Sequence, residues 1–78
     1  MKTTKYFEVT RQRPDRSMIE LRWIEFVVGH PEVERIQSDR RIRRWAGVAE
    51  CEARWLRVVL LDDGETIHNA FFDRRFKP

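Results

Sequence analysis

The chain has one cysteine, Cys51, so no internal disulfide can form. That cysteine and two histidines, His30 and His68, are too few ligands for a structural zinc site. No metal or cofactor is therefore expected. Long apolar runs are missing as well, and none approaches the ~20 residues that a membrane span requires. Met1–Tyr6 lacks the apolar stretch of a signal peptide. These absences predict a cytoplasmic location and no membrane partner. Repeats, low-complexity segments and linkers are also lacking, and 78 residues leave room for a single domain over 1–78.

Charge and aromatic rings are plentiful. Charged residues make up 37% of the chain, with 16 Lys+Arg against 13 Asp+Glu, and most of the bases are arginines. Arginine forks onto phosphates and stacks on flat rings, whereas lysine acts as a point charge. A sequence pI near 9.6 leans toward a polyanionic partner. A solvated, ion-paired surface explains the same composition. The 41% hydrophobic content suffices for a core and argues against disorder.

The pattern of residue types predicts α+β: one helix packed on a three- to four-stranded antiparallel sheet, in the order β-α-β-β-β. Tyr6–Thr10 is β-branched and aromatic and reads as a first strand. Pro14 breaks it, and Asp15 is an N-cap candidate for a helix over Arg16–Val28. Gly29-His30-Pro31 ends that helix. Arg40–Val48 and Trp55–Leu61 read as strands, and Asp63-Gly64 as the turn of a hairpin into Thr66–Phe72. The helix carries more apolar surface than a sheet can cover; either loops cover the excess, or Trp23 and Phe26 present a surface for a partner chain.

A turn at Asp63-Gly64 places Val59 opposite His68, Arg57 opposite Ala70 and Arg54 opposite Asp73. Alternation then puts Leu56, Val58, Leu60, Ile67 and Phe71 under the helix, with Asn69 on their side. Arg57, His68 and, if the strand continues past Phe72, Arg74 share the open face, joined by Arg41, Arg43 and Trp45 if Ile42 points inward. Arg40 and Arg44 are expected at an edge. Cleavage of RNA by its own 2′-hydroxyl needs a proton acceptor and cations around the phosphorane. His68, Arg57 and Arg74 are the catalytic candidates. Arg41, Arg43, Trp45 and Trp55 are the RNA-binding candidates, because rings and guanidiniums stack unpaired bases. A lone strand histidine and a run of arginines are also common on inert surfaces. Cys51 sits between Glu50 and Glu52, whose charges disfavour a thiolate.

Arg43-Arg44-Trp45-Ala46-Gly47, Leu56–Leu60 and Thr66–Arg74, in this order of elements, resemble the DUF4258 and BrnT-like group of the RelE/ParE toxin superfamily. The resemblance covers roughly residues 14–76 and is one of pattern. It implies a ribonuclease toxin neutralised by a cognate antitoxin protein, with Arg74 or Arg75 matching an arginine near the end of the last strand. A homodimer through the exposed helix surface is a further expectation. A non-catalytic RNA- or protein-binding module on the same scaffold is the alternative.

Overall fold

Strand β3, Arg54–Leu60, sets the architecture, because its alternate residues belong to opposite layers. Leu56, Val58 and Leu60 are fully buried on one side, while Arg57 and Val59 face the other. The computed structural model describes all residues, Met1–Pro78. β3 pairs antiparallel with β2 (Ile42–Val48) and with β4 (Ile67–Phe72), and β1 (Val33–Ile36) pairs with the far side of β2. The spatial order is β1-β2-β3-β4, a four-stranded meander.

Two helices pack against this sheet: α1, Lys5–Thr10, and α2, Leu21–Gly29. Phe7 from α1, Ile19 from the connecting turns, and Ile24 and Val27 from α2 join Leu56, Val58, Leu60, Ile67 and Ala70 in one core. No polar or charged residue is fully buried. The segment before α1 covers the start of the β4 edge: Ile67 donates its amide to Lys2 O (2.9 Å), and Thr4 donates to Ile67 O (3.0 Å). An edge so covered cannot template pairing with another chain there. No helix is long and apolar enough to cross a membrane.

The α+β class and the antiparallel sheet are as the sequence predicts, but the element order is α-α-β-β-β-β. Tyr6–Thr10 is helical despite its β-type residues. Thr4 caps it by accepting the Phe7 amide at its hydroxyl (3.1 Å), and burial of Phe7 supplies the tertiary contact. Helix α2 starts five residues later than predicted, after a run of turns from Arg11, and Ile19 enters the core from that run. Strand β1 escapes the sequence reading. Its residues, Val-Glu-Arg-Ile, are mostly exposed and form a short charged edge. Gln37 donates its amide to Arg41 O (2.8 Å), closing the three-residue turn into β2, with Arg40 left-handed at φ 72°.

Candidate nucleic-acid interface on the open sheet face

The predicted hairpin forms, and its first rungs keep the expected register. Leu61 donates to Thr66 O (2.9 Å), and Leu60 pairs with Ile67. The turn is locked by the Asp63 carboxylate, which accepts the Glu65 and Thr66 amides (2.9 Å each) and the Thr66 hydroxyl. These bonds hold the Asp63 pKa down at about 2. The register then slips by one. His68 is the extra residue, and Val59 pairs with Asn69, Val58 with Ala70 and Arg57 with Phe71.

This bulge corrects three expected pairings and two faces. Val59 is not opposite His68, nor Arg57 opposite Ala70, and the Asp73 amide bonds Trp55 O (2.9 Å) instead of Asp73 lying opposite Arg54. Ala70 takes the core position expected of Phe71, and Phe71 moves to the open face beside Arg57. Asn69 lies at the margin of both layers, where its Oδ1 accepts from Arg16 (2.7 Å) and from the Ala70 amide (3.0 Å). A bulge lets two successive residues point to similar sides, so His68 remains on the open face although its partner has changed.

There His68 lines an open cleft of about 450 Å³ with Arg41, Arg43, Arg57, Gln37 and Tyr6. The imidazole is held on two sides. Its Nδ1 is 3.0 Å from the Thr4 hydroxyl, and the Tyr6 ring stacks on it with centroids 4.8 Å apart. Burial, then the Arg41 guanidinium, push the His68 pKa below the usual histidine range, while Asp39 acts weakly against them. The shift favours the neutral ring. Arg43 donates from Nε to the Gln37 side chain, and its register neighbours are Arg35 and Val59.

Arg57 is the most enclosed cation of the face. Its guanidinium lies over Phe71 at 5.0 Å and over Trp45 at 5.7 Å, and pairs with Asp73 at 3.6 Å. Its Nε is buried without a hydrogen-bond partner. Burial first and Arg43 second lower its pKa, opposed by Asp73. Arg41 is more open and pairs with Asp39 at 3.6 Å.

The other predicted residues divide. Trp45 is on the open face as expected, but only 2% of it is exposed, because Phe76 of the C-terminal segment covers it. Trp55 is half-buried, edge-on to the same Phe76 ring. Arg74 is not brought to His68. It follows the end of β4 and lines a separate hollow with Arg54, Trp55 and Phe72. Arg40 is exposed in its turn, while Arg44 reaches across to α2 and donates to Val28 O (2.9 Å), so it caps the helix instead of standing at an edge. Cys51 packs partly against the core. On α2, Phe26 is 49% exposed, while Trp23 is half-buried against Phe72 and donates to Glu50 (3.0 Å).

Tyr6, Thr4, Gln37, Arg35 and Phe76 were not legible as site residues. Had β1 been read as a strand, alternation would have placed Arg35 beside Arg43. Thr4 carried the signature of a helix cap. Gln37 and Phe76 gave no signal. No family model, curated protein or solved structure matches the chain.

Proposed function

We propose that the chain is a metal-independent endoribonuclease and the toxin of a type II toxin–antitoxin pair. The observation that carries this reading is one cleft containing an imidazole and three guanidiniums: His68 with Arg41, Arg43 and Arg57. In the base-competent tautomer, His68 donates Nδ1–H to the Thr4 hydroxyl and leaves Nε2 free. Nε2 takes the proton of a 2′-hydroxyl as that oxygen attacks the neighbouring phosphorus. Arg41, Arg43 and Arg57 stabilise the added negative charge, and the 5′-oxygen leaves with a proton from solvent. Arg74, away from this cleft, is assigned to backbone binding. The pattern resemblance to BrnT-like toxins supplies the toxin half of the reading.

His68→Ala should lower RNA cleavage by about 10²–10⁴ while leaving the fold and RNA binding in place. Cleavage by the wild-type chain should persist in EDTA. Because a base must be unprotonated, the rate should fall as pH drops through the depressed His68 pKa, below the ordinary 6.5. Full cleavage by His68→Ala would remove the mechanism. RNA binding with no cleavage under any condition would establish the binding-module alternative. That reading draws on the neutralisation of Arg57 by Asp73.

The antitoxin would sit on the opposite layer. Phe26 and Trp23 line a groove of about 340 Å³ with Arg22, Val48 and Glu50, suited to an apolar segment flanked by both charges. Phe26→Glu should abolish a complex with the neighbouring gene's product, measured by co-purification, and leave cleavage intact. An unaltered complex would exclude this surface.

A further inference from the structure

The C-terminal segment occupies a slot built for a flat ring. Trp45 forms its floor, with the Phe76 ring stacked at 4.5 Å and 15°. Trp55 forms a wall, edge-on to Phe76 at 5.1 Å and 65°. The Arg35 guanidinium lies 5.5 Å from both the Trp45 and Phe76 centroids. The floor is anchored by the place of Trp45 within β2, and its Nε1–H donates to Asp73 Oδ2 (3.1 Å) at the base of the C-terminal segment.

Phe76 is held by its ring contacts more than by its backbone. It lies four residues beyond β4, and its amide reaches Asp73 O only at 3.4 Å. The slot is continuous with the His68 cleft, since Arg43 and Arg57 line both. Its surroundings are strongly cationic, with Arg35, Arg75 and Lys77 added and Asp73 the one acid. A ring slot set in guanidiniums suits an aromatic group carried on a phosphate chain better than an aromatic peptide side chain.

We propose that the Trp45 face is a nucleobase-binding subsite for single-stranded RNA, and that Phe76 occupies it until a base displaces it. This rests on the RNA reading above and adds a defined stacking position next to the cleft. The exchange trades one aromatic stack for another, so the tail lowers the affinity of the resting protein. The phosphates flanking the bound base would run along Arg43 and Arg57 toward His68.

The test compares two short probes: a 2′-O-methyl oligouridylate, which resists cleavage, and an abasic oligomer of the same length. Phe76→Ala keeps every charge of the tail. It should bind the oligouridylate about 10-fold more tightly than the wild-type chain, as expected when a competing stack is removed, and the abasic oligomer with unchanged affinity. In the wild-type chain, NMR contacts between Trp45 and Phe76 should vanish at saturating oligouridylate, a readout that serves even if Phe76→Ala fails to fold. Binding of both probes with unchanged or weaker affinity in Phe76→Ala, or Trp45–Phe76 contacts that survive saturation, would overturn the subsite and leave the RNA reading standing. No binding of either probe to the wild-type chain would overturn both.

Discussion

The two faces of the sheet are made by neighbouring residues of the same strands and obey different rules. On the helix side, Leu56, Val58 and Leu60 are fully buried among aliphatic and aromatic side chains, and the guanidinium that reaches this layer, Arg44, donates to Val28 O while its Nε has no partner. On the open side, one step along β3, Arg57 lies among Trp45, Phe71 and Asp73 with an unpartnered Nε. The first arrangement is what stability selects. A buried donor without a partner costs about 1–3 kcal/mol, and each side carries one, so the faces differ in their apolar and cationic content and not in this cost.

The largest expected effect comes from the helix side. Leu56→Ala removes a fully buried side chain from under α2 and should cost about 2–5 kcal/mol. A domain of this length holds only about 4–12 kcal/mol in total, so much of its stability would be gone. Urea unfolding followed by far-UV circular dichroism measures it. A cost near zero would mean that the helix layer does not carry the fold.

Arg57 sharpens the comparison. Arg57→Met keeps an unbranched stem between Trp45 and Phe71 but removes the charge and the unpaired Nε. Stability should change by less than about 1.5 kcal/mol, as volume-conserving replacements do. RNA affinity and cleavage should fall, with a shallower salt dependence, because a phosphate contact is lost. If instead Arg57→Met costs several kcal/mol in urea unfolding while the folded protein binds RNA as before, the open face is a structural layer and the contrast between the faces disappears.

The faces were more legible than the elements. Alternation along β3 assigned Leu56, Val58, Leu60 and Arg57 to their sides, and β2 placed Arg43 and Trp45 with Arg57. The Asp63-Gly64 dipeptide located the hairpin, since Gly64 takes φ 70°. Past Ile67 the reading failed, because one bulged residue inverts every later assignment, and composition does not announce a bulge. That is why Phe71 and Ala70 exchanged layers while His68 kept its own. Tyr6–Thr10 was misread because a cap and one buried ring outweigh β-propensity in a six-residue helix. β1 was missed because a charged edge strand lacks the apolar run by which strands are recognised. Arg74 was carried to the cleft by extending β4 beyond Phe72, where the strand ends.

The smallest expected effect lies in the turn between β2 and β3, which belongs to neither face. Glu52 and Ala53 are both left-handed, at φ 57° and 58°, a conformation that strains any residue with a Cβ. Ala53 also approaches β2 closely: a Cβ built at Gly47 would lie 3.2 Å from Ala53 O, a tight contact. Ala53→Gly relieves the strain without touching that contact. Part of the gain is offset by the greater freedom of glycine in the unfolded chain. The net result should be a stabilisation of about 0.5–1 kcal/mol, or roughly 2–8 °C in Tm. RNA affinity and cleavage should not change, because Ala53 lines neither the His68 cleft nor the Trp45 slot. A stabilised variant with altered RNA binding would show that the open face responds to global stability. The effects expected at Arg57 and His68 could not then be assigned to lost contacts with RNA.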